Sequence, residues 1–155
     1  MRQIAAGVHA PDFELRDLNG GVHRLHTALK EGPVVLVFFK VSCPTCQFTF
    51  PHIQRIFASA GRDWHAQLWA ISQDDSEETR QFARQNGITF DMLIDEYPYD
   101  VSNAYGIVSV PTMFIIEQDG KITMSDNGFS KASLNQIAGY ELFTPNDGLP
   151  ASRPG

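Results

Sequence analysis

The chain of 155 residues is poor in cysteine, in clustered cations and in long apolar runs. Two cysteines are too few for the disulfide framework that staples small secreted domains. Twelve lysines and arginines against 18 acidic residues leave a net charge of −6, and no two cations are adjacent. That disfavours a nucleic-acid partner, because neutralising phosphate takes clustered Lys and Arg. The longest apolar run, Val34 to Phe39, is too short to span a bilayer, so no membrane partner is expected. Met1 to Pro11 holds no apolar stretch of the kind a secretory leader carries. The expected setting is therefore a reducing cytoplasm. There, a close pair of cysteines is catalytic or metal-binding rather than structural. Neither an internal repeat nor a linker divides the chain.

Hydrophobic residues make up 43% and charged residues 19%, a globular balance able to bury a core at this length. Phe13 and Leu15 alternate with Asp12, Glu14 and Arg16, which predicts a short half-buried strand. Asn19-Gly20-Gly21 is a turn, and Val22 to Leu25 returns to complete an N-terminal β-hairpin. After the break at Gly32-Pro33, Val34 to Val41 is β-branched and aromatic without alternation. A central strand buried on both faces has that pattern. Pro44 to Ala60 carries Phe48, Ile53, Ile56 and Phe57 near helical spacing, with Pro51 to kink it and Gly61 to close it. Gln67 to Ile71 reads as a strand. The acidic group Asp74, Asp75, Glu77 and Glu78 suits a helix start, with Ser76 capping a helix from Glu77 to Gln85. Phe90 to Ile94 is a strand and Val101 to Tyr105 a short helix. Thr112 to Glu117 and Lys121 to Ser125 are strands joined at Asp119-Gly120. Ser130 caps a last helix, Lys131 to Tyr140. Strands alternating with helices ahead of a late hairpin predict one α/β domain over residues 1–143, with a central mixed β-sheet flanked by helices on both faces. Residues 144–155 hold three prolines, two glycines and few apolar side chains, which predicts a loose C-terminal tail.

The chemistry-bearing string is Lys40-Val41-Ser42-Cys43-Pro44-Thr45-Cys46, placed where the buried strand ends and a helix begins. Residues three apart on a first helical turn face the same way, so the two sulfurs can approach bonding distance. Cys43 falls at the helix N-cap, where free N–H groups and the positive dipole end favour a thiolate. Pro44 suits the first helical position, since its missing N–H had no helical partner to lose. Together these predict thiol–disulfide exchange, with Cys43 at the tip as nucleophile and Cys46, one turn inward, as the resolving thiol. Lys40 is a candidate modulator of the thiolate; the alternative is a strand-end lysine facing solvent. Two inert buried cysteines are the other reading of the pair.

At these residues the chain resembles the thioredoxin superfamily, in the redoxin and TlpA/ResA-like branch related to AhpC/TSA proteins. The apolar strand running into Cys43-Pro44-Thr45-Cys46 carries the resemblance, as does Pro51, five residues past Cys46. Ser109-Val110-Pro111-Thr112 before Met113 to Ile116 resembles the superfamily's cis-proline loop, and Asp119-Gly120-Lys121-Ile122 the hairpin that follows. Ala10-Pro11-Asp12-Phe13-Glu14-Leu15 is similar to the start of the redoxin branch. The 68 residues from Cys43 to Pro111 leave room for that branch's inserted strand-helix unit, which Phe82 to Ile94 helps supply. The likeness spans Ala10 to Tyr140. It implies a thioredoxin-like fold and a cis Pro111 beside the cysteines. Val110, Pro111 and Thr112 would be the substrate-binding edge, with Val110 offering main-chain hydrogen bonds to an extended segment. It also implies protein or small-molecule disulfides and dithiols as substrates, a separate redox partner to recycle the dithiol, and no cofactor. An ordinary strand-start proline is the alternative for Pro111. The sequence departs from thioredoxins proper at Ser42, where Trp is frequent, and at Val37, where a buried acid serves the resolving cysteine. Pro44-Thr45 matches neither the thioredoxin Gly-Pro nor the strongly oxidising Pro-His pair.

The main rival is a peroxiredoxin-like thiol peroxidase with antioxidant activity. Such enzymes carry Thr or Ser three residues before the reactive cysteine and Pro seven before it. For Cys43 those positions are Lys40 and Leu36; for Cys46 they are Cys43 and Phe39. Metal binding would need a third ligand, and His52, six residues along the helix from Cys46, lies off the cysteine face. His9, His23, His26 and His65 show no ligand spacing, so no metal is expected. A redox-regulated interaction module is the remaining class.

Overall fold

The computed structural model describes residues 2–60, 64 and 66–155. Along the chain, β1 (Glu14–Asp17) and β2 (Val22–Arg24) form the expected hairpin, and α1 (Leu25–Ala28) follows. Then come β3 (Val34–Phe39), α2 (Pro44–Ala60), β4 (Gln67–Ser72), α3 (Ser76–Gln85) and β5 (Asp91–Ile94). The chain continues through α4 (Asp100–Ala104), β6 (Thr112–Ile116), β7 (Ile122–Asn127), β8 (Phe129–Ser130), α5 (Lys131–Ala138) and β9 (Ser152–Arg153). Seven strands form one mixed sheet in the order β2-β1-β5-β4-β3-β6-β7. The strands β3, β4 and β5 run parallel, while β6 pairs antiparallel with β3. This is the mixed α/β layout that the resemblance implies.

All six residues of β3 are buried. Val35, Val37 and Phe39 enter one core with Phe50, Ile53 and Ile56 of α2, Phe82 of α3, and Leu134 and Ile137 of α5. Val34, Leu36 and Phe38 enter the other, with Leu25 of α1 and Val101 of α4. Two-sided burial is why this stretch shows no polar alternation. Strand β5, supplied within Phe82 to Ile94, sits between β1 and β4 and carries the hairpin outward. Among the described residues, no helix is long and apolar enough to cross a membrane.

The structure corrects several local readings. Leu25 leaves the hairpin to open α1, where its side chain is fully buried. The central strand stops at Phe39, because Lys40 and Val41 already belong to the turn into α2. Likewise Phe90 precedes β5, and Tyr105 follows α4. Asp75, not Ser76, caps α3: its backbone is extended and its carboxylate accepts the Glu78 N–H at 2.8 Å. Ser130 caps α5 as expected, but the helix ends at Ala138 because Gly139 turns left-handed at φ 85°. Gly61, expected to close α2, and His65 lie outside the described residues. The segment 144–155, expected to be loose, is docked: β9 pairs antiparallel with β8, and the Lys131 N–H donates to the Ala151 carbonyl at 3.0 Å. The ladder satisfies main-chain groups that the side-chain pattern of this segment does not reveal.

Candidate active site

Strand β3, clamped by both cores, delivers the chain to a tight turn ahead of α2. In that turn the Cys43 N–H donates to the Lys40 carbonyl at 3.2 Å. Val41 is held from two sides. Its N–H donates to the Asp74 carboxylate at 2.8 Å, and its carbonyl accepts from Gln47 Nε2 at 2.9 Å. Asp74 is itself fixed, since its N–H donates to Ser72 Oγ at 3.0 Å and Ser72 shares a 2.7 Å hydrogen bond with Thr79.

Cys43 caps α2 with its sulfur. The Cys46 N–H donates to Cys43 Sγ at 3.0 Å, satisfying one of the N–H groups a helix start leaves free. The Cys43 side chain is half-buried and donates to the Val110 carbonyl at 3.4 Å. Cys46 is fully buried, and both cysteines are unpaired. Burial pushes the Cys46 thiol far up; its hydrogen bond with Cys43 and the nearby Asp74 charge push the same way. The turn therefore presents one sulfur reachable from outside and one kept neutral beneath it.

The Val110–Pro111 peptide bond is cis. The Pro111 carbonyl accepts the Gly128 N–H at 2.8 Å, and Thr112 Oγ1 donates to the Ser109 carbonyl at 2.7 Å. Thr112 opens β6 opposite Phe38 of β3, so the loop is anchored to the strand that carries the cysteines. Cys43, Cys46, Val110 and Pro111 thus meet at one end of the sheet, while the Thr112 hydroxyl turns back into its own loop. Lys40 is exposed, and it meets the site through its main-chain carbonyl. Pro44 is exposed at the first turn of α2. Thr45 is only 6% exposed, and its hydroxyl donates to the Pro154 carbonyl at 2.7 Å. Val37 is wholly buried, so no acid stands at that place.

His52 packs against the rings of Phe48, Phe129 and Phe143; burial and the Arg55 charge hold its pKa down. His23 pairs with Asp17 at 2.8 Å on the hairpin. Two features escaped the sequence. Asp74 read only as part of a helix start, although it braces a turn 33 residues earlier. The Thr45 to Pro154 contact spans 109 residues and leaves no local pattern.

The sequence matches the AhpC/TSA family over residues 6–125. It is 32% identical over 120 residues to the thiol-disulfide oxidoreductase ResA of Geobacillus thermodenitrificans, covering 77% of this chain and 67% of that one. The fold is similar to the thioredoxin domain of a thiol-disulfide oxidoreductase from Bacteroides vulgatus, with a TM-score of 0.77, 21% identity and coverage of 88% and 97%. It is also similar to Peroxidoxin BcpB from Mycobacterium tuberculosis, with a TM-score of 0.70, 26% identity and coverage of 88% and 94%.

Proposed function

Since the chain belongs to the AhpC/TSA family and is a thiol–disulfide oxidoreductase, we propose that Cys43 and Cys46 are its reacting pair, Cys43 as nucleophile and Cys46 as resolving thiol. The observation that carries this reading is the contrast between the sulfurs. Cys43 Sγ is half-buried and accepts the Cys46 N–H, whereas the Cys46 thiol is sealed and pushed towards its neutral form.

In the forward direction the Cys43 thiolate attacks one sulfur of a substrate disulfide. A Cys43–substrate bond forms as the substrate S–S bond breaks, and the departing thiolate takes up a proton. Cys46 then loses its proton and attacks Cys43 Sγ. The Cys43–Cys46 disulfide forms and the second substrate thiolate leaves, to be protonated in turn. The substrate disulfide has gained two electrons and the protein dithiol has lost them. The same steps in reverse oxidise a dithiol. The Cys46 N–H supports negative charge on Cys43 at the start of each cycle.

Val110, Pro111 and Thr112 form the edge for an extended disulfide-bearing segment, in a strand-addition mode. Lys40, Pro44 and Thr45 tune the pair rather than react. A separate redox partner recycles the dithiol. The reading takes the working compartment to be reducing and cytoplasmic, where a close pair of cysteines is catalytic rather than structural.

Trapping tests the assignment. Incubated with reduced-and-washed Cys46→Ser protein, insulin becomes linked to Cys43 as a lasting mixed disulfide, readable by mass spectrometry. Cys43→Ser gives no adduct and no turnover. Exchange by Cys43→Ser at the rate of the unsubstituted protein would contradict the roles.

A further inference from the structure

Residues 152–155 lie across the site just described. Ser152 and Arg153 pair with Ser130 and Phe129. The Pro154 carbonyl then accepts the hydroxyl of Thr45, which stands between the two cysteines. Gly155 reaches the Val110 main chain so closely that a Cβ there would collide with the Val110 carbonyl oxygen, the same oxygen that accepts the Cys43 thiol. Gly128 makes room from the other side: at φ 77° it presents no Cβ, and one would strike the Arg153 carbonyl. The Arg153 guanidinium sits 5.0 Å above the Phe48 ring of α2.

We propose that residues Ser152–Gly155 are a built-in strap occupying the substrate groove between the Cys43–Cys46 turn and the Val110–Pro111 loop, and that a substrate polypeptide engages Cys43 only by displacing it. The inference rests on the reading of Val110 as the substrate-facing edge. The strap has the form of what it excludes: an extended segment held by main-chain hydrogen bonds, with a small residue beside Val110 and a cation on Phe48. It is also lightly held. Residues 151–155 are all exposed, and the β8–β9 ladder is two residues long, so opening withdraws none of the strap's own side chains from the core. Upstream the chain stays anchored. Phe143 is buried, and Lys131 Nζ donates to the Thr144 carbonyl at 2.9 Å and to Asp147. The strap therefore opens and recloses on a short tether, at high effective concentration. Small disulfides and thiol reagents meet less obstruction than polypeptides.

The test compares the unaltered chain with Gly155→Val, whose Cβ cannot sit beside Val110, and with a variant lacking residues 152–155. Each is reduced, then treated with a polyethylene-glycol maleimide or with iodoacetamide, and modification at Cys43 is timed by mass spectrometry. Insulin reduction is assayed in parallel. Removing the strap is expected to speed bulky modification and insulin reduction about tenfold, the value for an open state populated to about a tenth, with a smaller gain for iodoacetamide. Gly155→Val shifts both in the same direction. Equal maleimide rates in all three proteins overturn the strap. Faster maleimide labelling with no insulin reduction by any of them leaves the strap standing and overturns the exchange activity instead.

Discussion

The Cys46 N–H donates to the Cys43 sulfur over an N···S distance of 3.0 Å, so the two cysteines of one helical turn are joined by a hydrogen bond as well as by spacing. That bond places the donor where charge develops when Cys43 ionises or is released from a mixed disulfide. The turn that positions it is braced from two sides, by Asp74 of the β4–α3 loop through the Val41 N–H and by Gln47 of α2 through the Val41 carbonyl.

The pH dependence follows from Cys46. Burial raises its folded pKa above the unfolded value, so its contribution to stability is complete below about pH 8.5 and falls as pH rises towards the folded value. Urea unfolding of the reduced protein should show stability dropping by up to about 1.4 kcal/mol per pH unit above pH 9. Tyr105, pushed up by burial and by Asp12, acts in the same sense above about pH 10. Cys46→Ser should be flatter between pH 9 and 10. An equally steep fall in that variant would contradict the assignment.

Asp74 is predicted to act as a positioning residue. Asp74→Ala removes the acceptor of the Val41 N–H and should cost about 1–2 kcal/mol in urea unfolding while slowing insulin reduction several-fold. Asp74→Asn keeps an oxygen acceptor and should recover most of both. A slowed Asp74→Asn with full stability would point instead to a need for the negative charge.

How much of this was legible in the sequence depended on distance along the chain. β3 and α2 could be read because an unbroken apolar run and a CxxC sit side by side, and the structure places α2 over the expected residues. The four-residue α1 could not, since it has no side-chain cap and is too short for a period. Asp75 and Ser76 are both good capping residues, and only backbone conformation separates them. The docked segment 144–155 was invisible for a different reason: its partners are main-chain groups of β8 and side chains far along the chain, Phe48, Thr45 and Lys131, none of which its own composition encodes.

Peroxide is predicted to be a poor substrate. Among the described residues, the hydrogen-bond partners of the Cys43 sulfur are main-chain groups of Cys46 and Val110. Among those same residues no side-chain hydroxyl or guanidinium bonds to it to stabilise a departing oxygen. Stopped-flow oxidation by hydrogen peroxide should run near the rate of a free thiol. A rate about 10³-fold higher, the worth of a strong oxyanion donor, would establish the peroxidase reading.

Away from the site, Asp95 is 2% exposed and accepts the Ser102 N–H at 2.8 Å and the Ser102 hydroxyl at 2.7 Å. Asp95→Ala leaves these donors buried without an acceptor and should destabilise by about 3 kcal/mol, with exchange by the folded fraction unchanged. A loss under about 0.5 kcal/mol in urea unfolding, the range of ordinary surface changes, would show that water replaces the carboxylate.

The most direct measurement is a redox titration of the reduced chain in glutathione buffers, with the cysteines read by alkylation and mass spectrometry. A single reversible two-electron transition between dithiol and a Cys43–Cys46 disulfide is predicted, with a midpoint between about −270 and −120 mV. Two thiols that glutathionylate independently, or that never join under oxidising buffer, would contradict a Cys43–Cys46 redox couple.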